Sequence, residues 1–256
     1  MMKALLCSFL FLSQAALAVE TSFIAVDVHT GAVVASSGPA LDQRVTPAST
    51  FKVALSPIGY DVGILKSVET PVWTMGGAEV SGEATRGYQS PRTWMSLSVV
   101  WYSKILMQKI GRDVLQKYLS LFAYGNQDIT GEANQQNGFL SAHLSSSLKI
   151  SPREQVGFMR KLVSEQLPVS PFSIHMTKEL LFNNTSGKGW KIFAKTGSGF
   201  QRNARDKIAW LVGWVERADQ QYAFALFIRG TEGFPTKGER QQAVNGFFKG
   251  VGIEIE

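Results

Sequence analysis

The stretch PASTFKVALS, residues 47–56, sets a serine three residues ahead of a lysine, Ser49 and Lys52. At i and i+3 on a helix the two side chains share a face. Pro47 before the pair and the apolar run after it put Ser49 near a helix N-terminus, where backbone N–H groups and the macrodipole favour negative charge. A lysine amine can take the serine proton only when it is neutral. In water it titrates at about 10.4 and is a poor base at neutral pH. Burial among Phe51, Val53 and Leu55 lowers that value. Pro57 is expected to kink or end the helix, because it removes a backbone donor. Spacing alone does not single out this pair, since Ser146 and Lys149 repeat it in SSSLKIS. A second group, KTGSG at 195–199, offers a cation (Lys195), two hydroxyls (Thr196 and Ser198) and two glycines (Gly197 and Gly199). Glycines in a strand let another backbone lie close. The lysine charge and the hydroxyl donors suit a carboxylate.

These groups need a scaffold. SFIAVDVHTGAVVASSG (22–38) reads as two strands around a turn at His29-Thr30-Gly31. WKIFAKTG (190–197), AWLVGWVER (209–217) and YAFALFIRG (222–230) read as three more, the last two forming an antiparallel hairpin across Ala218–Gln221. These strands are apolar on both faces, which calls for helices on both sides of the sheet. Leu115, Tyr118, Leu119 and Phe122 mark one helix, and Val156, Met159 and Val163 another. The second opens with Ser151-Pro152-Arg153-Glu154, an N-cap, a first-turn proline and a capping-box glutamate. Val244, Phe247, Phe248 and Val251 form a stripe on a C-terminal helix. Strands at both ends with helices between them predict an α+β domain over 19–256. Its sheet lobe covers about 19–60 and 186–256, and its helical lobe about 61–185.

The chain has 256 residues, 45% hydrophobic and 18% charged, a globular composition. Its formal charge of +6 is spread along the chain, with RNARDK at 202–207 the densest cluster. No nucleic-acid-binding module accompanies it. Residues 1–18, with Lys3, an apolar run from Ala4 and the small-x-small Ala16-Leu17-Ala18, are expected to be a secretory signal peptide cut after Ala18. The run is too short to span a membrane comfortably, so we expect no stable membrane anchor and a periplasmic or secreted protein. Cys7, the only cysteine, lies in that segment, and the mature chain is expected to hold no disulfide, thiolate nucleophile or cysteine-bound metal. The three histidines, His29, His143 and His175, are scattered and no Gly-x-Ser-x-Gly elbow occurs. A Ser-His-Asp hydrolase and a two-zinc hydrolase are both disfavoured.

Ser-x-x-Lys followed by Lys-Thr-Gly is the pattern of serine β-lactamases and penicillin-binding proteins. STFK (49–52), SVV (98–100), YGNQD (124–128), SSLKISP (146–152), KTGSG (195–199) and WLVGWVER (210–217) occur here in one order over nearly the whole mature chain. In these residues the sequence resembles the class D β-lactamases, the oxacillinase family. The resemblance implies the serine penicillin-recognising fold, with a central antiparallel sheet from both termini, and hydrolysis of β-lactams, oxacillin-like penicillins first. Ser49 would be the acylated nucleophile. Lys52, carboxylated by carbon dioxide or bicarbonate, would be the general base. Ser98 would relay a proton toward the leaving nitrogen, with Lys195 nearby. The N–H groups of Ser49 and Ser198 would form the oxyanion hole. Thr196 and Arg240 would hold the substrate carboxylate, with Lys237 the rival for Arg240. Val100 and Leu144 would line the carbamate pocket, and Tyr124, Gly125, Asn126 and Gly197 would be structural. Ser146 and Lys149 would belong to a structural stretch. The partner implied is a small-molecule β-lactam, with no metal and no nucleic acid. One departure stands out: His143 occupies the place of a tryptophan whose indole N–H donates to the carbamate. The smaller imidazole predicts a more labile carbamate. Two other readings share the same serine–lysine logic, a non-hydrolytic penicillin sensor and a small DD-peptidase.

Overall fold

The computed structural model describes residues 19–80, 87–131, 138–200, 206–231 and 233–256. The signal-peptide expectation over 1–18 and most of the RNARDK cluster lie outside them. The main sheet has six strands: β1 (Glu20–Asp27), β2 (Val33–Ser37), β6 (Phe182–Thr185), β7 (Lys191–Phe200), β8 (Lys207–Arg217) and β9 (Gln220–Thr231). Their order is β2-β1-β9-β8-β7-β6, antiparallel throughout. Glu20 stands opposite Arg229 and Asp27 opposite Tyr222, so the first strand closes against the last. The β8–β9 hairpin is tight, with Arg217 opposite Gln220 and Ala218 in left-handed backbone at φ +53°.

Between these strands lie the small sheet β3 (Val72–Thr74), β4 (Glu79–Val80) and β5 (Tyr88–Gln89) and six helices. The helices are α1 (Lys52–Asp61), α2 (Pro91–Ser96), α3 (Val100–Ile110), α4 (Arg112–Phe122), α5 (Pro152–Val163) and α6 (Pro171–Leu181), and α7 (Lys237–Gly250) follows the sheet. α5 starts at the expected capping box, with Ser151 Oγ accepting from Glu154 N and the Glu154 side chain accepting from Ser151 N. α1 runs through Pro57 instead of stopping there. Every residue from Lys52 to Tyr60 is buried, and packing on all sides outweighs the one hydrogen bond that proline removes.

Alternation along the strands sorts the sheet's residues onto two cores. Trp210, Val212 and Trp214 face the helical lobe, while Ala209, Leu211 and Val215 join Phe23, Val244 and Phe248 under α7. In the C-terminal stripe Phe247 stacks on Phe23, whereas Val251 is exposed beyond the end of α7. β6 falls just before the expected start of the second sheet segment. Its sequence, FNNT, is short and polar, and its strand character comes from pairing with β7.

Candidate active site

Ser49 lies in a 3-10 turn, Ala48–Phe51, that runs directly into α1. Ala48 takes left-handed backbone, φ +48°, one residue before the serine. For a residue with a Cβ this conformation is uncommon, and it clusters at functional sites. β7 presses on the same turn: a Cβ at Gly197 would sit 3.0 Å from Pro47 O and from Thr50 Cγ2. This close approach is what the glycine of KTG provides. The strand carries Lys195, Thr196 and Ser198 past the turn, and β6 pairs with β7 only as far as Phe193.

Lys52 is fully buried and its Nζ donates to Ser49 Oγ over 3.4 Å. Burial alone pushes the amine down to about 7. Lys195 is 4% exposed; its Nζ donates to Ser98 Oγ at 2.5 Å and to Thr196 O at 3.0 Å. Burial, and then the Lys52, Lys237 and Arg240 charges, push it to about 7 as well. Two amines of this kind, each bonded to a serine hydroxyl, can release and take up protons near neutral pH. Ser98 sits between α2 and α3 with φ +60°, a second strained serine environment.

Arg240, on α7, is also 4% exposed. Its Nε donates to Pro235 O, Nη1 to Gly197 O and Trp210 O, and Nη2 to Ser198 Oγ at 2.7 Å. Burial lowers its pKa from the usual guanidinium range. These bonds leave one Nη2 hydrogen, and they turn the Ser198 hydroxyl proton away from Arg240. Lys237 is exposed, and its Nζ donates to Asn183 Oδ1 at 2.6 Å. It lines a cleft of about 90 Å³ with Lys195, Thr196 and Asn183. Both candidate cations therefore flank Thr196, Arg240 from behind the strand and Lys237 from its open edge.

The YGN segment supports the site from below. Asn126 Nδ2 donates to Ser147 O, Oδ1 accepts from Lys149 N, and the Asn126 N–H donates to Lys149 O at 2.9 Å. Gly125 has φ +54°, and a Cβ there would lie 2.1 Å from Lys149 O. Tyr124 is buried, its ring edge against Phe51 and Phe158. Lys149 is thus an exposed side chain on a backbone held by Asn126, and Ser146 is buried with no partner for its hydroxyl. This second serine–lysine pair stands apart from the nucleophile.

His143 is fully buried against Phe51, with ring centroids 5.2 Å apart. Neither ring nitrogen has a hydrogen-bond partner. Burial, then the Lys52 and Lys104 charges, push its pKa to about 3, so the ring is neutral. Leu144 beside it is half-buried. Val100, at the start of α3, is 38% exposed, and its neighbour Val99 packs on the main core.

Two contributors were not foreseen. Thr46 is buried, its Oγ1 donating to His143 O and accepting from Ser145 N, which ties the His143 loop to the nucleophile's turn. The Ser198 hydroxyl, expected as a donor for a carboxylate, also accepts from Arg240 on α7, a partner that KTGSG does not announce. Thr46 sits three residues before Ser49, the one hint the sequence offers. The remaining histidines are elsewhere, His29 in the exposed β1–β2 turn and His175 exposed on α6.

Comparison with known proteins places this geometry among relatives. The penicillin-binding protein transpeptidase domain matches residues 21–249. The chain is 36% identical over 217 residues to beta-lactamase OXA-9 of Klebsiella pneumoniae, covering 82% of this chain and 79% of the relative. It is 36% identical over 218 residues to beta-lactamase OXA-1 of Escherichia coli, covering 84% and 78%. The crystal structure of the OXA-427 class D beta-lactamase superposes with a TM-score of 0.78 at 31% identity, covering 90% of this chain and 99% of that one.

Proposed function

Because the chain belongs to the class D β-lactamase family, we propose that it hydrolyses β-lactam antibiotics, oxacillin-like penicillins among them, through an acyl intermediate on Ser49. One observation carries the reading: a fully buried lysine of lowered pKa, bonded to a half-exposed serine in a strained turn. The Ser49 hydroxyl gives its proton to the base at Lys52 as its oxygen forms a bond to the lactam carbonyl carbon, and the carbonyl π pair moves onto the carbonyl oxygen. The N–H groups of Ser49 and Ser198 receive that oxyanion, a preorganised contribution that is commonly large. As the C–N bond breaks, the ring nitrogen takes a proton from Ser98, which Lys195 replenishes through the hydrogen bond between them. Thr196 and Ser198 donate to the substrate carboxylate, with Arg240 behind them and Lys237 at the edge. Water then loses a proton to the same base and attacks the acyl carbon; the C–Oγ bond breaks and Ser49 leaves with that proton restored to its hydroxyl.

Lys52 as a free amine is a weak choice for activating that water. Its burial, its lowered pKa and the two unpartnered nitrogens of His143 fit a carboxylated amine. Carbon dioxide bound there as an N-carboxylate supplies an anionic base beside Ser49. Leu144 contributes the apolar side of the pocket. No helix among the described residues is long and apolar enough to cross a membrane. The leader-like residues 1–18 support export to the periplasm.

The test is hydrolysis of a chromogenic cephalosporin by the purified mature protein, with and without bicarbonate, beside Lys52→Ala. Activity should rise with bicarbonate and drop by about 10²–10⁴-fold in the variant, the range for a lost general base. A stable Ser49 adduct in mass spectrometry with no turnover would replace this reading with a penicillin sensor. Release of D-alanine from a D-Ala-D-Ala peptide would replace it with a DD-peptidase.

A further inference from the structure

At the β6 edge of the main sheet, three strands each contribute one aromatic ring to the same row. Phe182 of β6 stands opposite Phe193 of β7, and Phe193 opposite Trp214 of β8. Residues paired in register share a face of the sheet. Phe193 lies flat on Trp214 with ring centroids 4.2 Å apart, and Phe182 meets Phe193 edge-on at 5.3 Å. These rings floor a groove of about 500 Å³ between the sheet and α6. An apolar hollow of that size with a few polar groups at its rim is the usual form of a small-molecule site.

The rim sets the sign of the occupant. Glu179 Oε1 accepts from Arg92 Nη2 at 3.0 Å, and Arg92 Nε donates to Glu69. Glu216 Oε2 accepts from Trp214 Nε1 at 3.1 Å and from Gln221 Nε2 at 3.3 Å. Lys178 Nζ donates to Val163 O and Glu165 Oε1. Lys191, on β7, is different: its ammonium lies 3.8 Å from Glu216 Oε1, beyond hydrogen-bond length. His175, on α6, has no hydrogen-bond partner among the described residues. The carboxylates of the groove are thus engaged, and the donors left over are an ammonium on one side and an imidazole N–H on the other. A flat aromatic body suits the rings, and a carboxylate suits the donors.

We propose that this groove is a second, non-catalytic ligand site that takes a small aromatic carboxylate, and that its occupant is felt in the catalytic cleft through Phe182 and β7. Phe182 lines both the groove and the cleft that holds Lys195 and Thr196. Phe193 lies two residues before Lys195 on the same strand. Asn183, next to Phe182, donates to Ala194 O and accepts from Lys237 Nζ, so a shift of the Phe182 backbone reaches the strand and its edge cation together.

The experiment titrates the purified protein with 2-naphthoate and follows two signals by ¹H–¹⁵N NMR, the Trp214 indole N–H in the groove and the Thr196 amide in the cleft. Both should move and saturate at one concentration. Lys191→Gln and His175→Phe, at exposed positions, should each raise that concentration about tenfold for both signals, the loss of one hydrogen bond to a charged group. 2-Naphthylmethylammonium, of similar shape and opposite charge, should leave Trp214 still. A Trp214 signal that does not move, that follows the ammonium probe equally, or that ignores both variants overturns the site. A Thr196 signal that stays still while Trp214 saturates, or that saturates at a concentration neither variant changes, overturns the link to the cleft; the second result would mean that the probe binds Thr196 directly. No arm depends on turnover, so a failure of the β-lactamase reading would be seen separately, as absent hydrolysis.

Discussion

Ser198 accepts a hydrogen bond from Arg240 Nη2, and that one contact fixes what its hydroxyl can offer. With its lone pair engaged and its proton free, it is a donor aimed at an acceptor, as Thr196 is. Arg240→Lys keeps a charge but not the planar fork that holds Pro235, Gly197, Trp210 and Ser198 together. Steady-state kinetics should show KM raised about tenfold, with a smaller change in kcat, because the lost contacts concern the substrate carboxylate rather than the reacting carbonyl. A fall in kcat at unchanged KM would move Arg240 out of carboxylate binding. At this scale the sequence was informative wherever residue type and chemistry coincide, as at Ser49, Lys52, Ser98 and Lys195. It was silent where a partner comes from a distant element. Nothing in GFPTKGERQQ says that Arg240 will bond to Gly197 and Ser198 of β7, and nothing in SVV says that Val100 will be more exposed than Val99.

Elements were legible in proportion to their length and to the independence of their signal. β8 and β9 announce themselves as long apolar runs with a polar turn, and α5 announces its own first residue. β6 and the three strands of the small sheet have two to four residues each, too short for a period to register, and they exist through pairing. Pro57 misled because propensity is a local argument and α1 is held from all sides. The YGN segment yields a sharp test. Gly125→Ala should destabilise the fold by roughly 3 kcal/mol or more, since a methyl would overlap Lys149 O in a backbone already left-handed. Denaturant unfolding would measure it. A change below about 1 kcal/mol would mean that the segment around Lys149 yields, and that the floor of the site is softer than these contacts imply.

Across the whole molecule, the site is a cost that the rest of the fold carries. Unfolded, Lys52 keeps its proton up to about pH 10.5; buried, it loses it near 7. Between those values the unfolded chain binds the extra proton, so stability rises with pH through that window, and below about 7 the burden is at its full size. Lys52→Met should therefore raise stability by roughly 3–5 kcal/mol at neutral pH, an advantage that narrows toward pH 10. Bicarbonate should stabilise the wild-type protein and leave Lys52→Met unmoved, since it acts on the folded amine alone. Thermal unfolding across pH, with and without bicarbonate, reads both effects. A Lys52→Met advantage that is flat from pH 7 to 10 would contradict the buried amine. The same fold sets a timetable. β1 has no inner neighbour until β9 exists, and the edge carrying Lys195 has no backing until β8 does. A chain leaving the ribosome presents Ser49 and Lys52 early but can neither shut its sheet nor dry its pocket until its last segments arrive. Such a chain keeps its pocket open through most of its synthesis, and its chemistry switches on only once the last strands are in place.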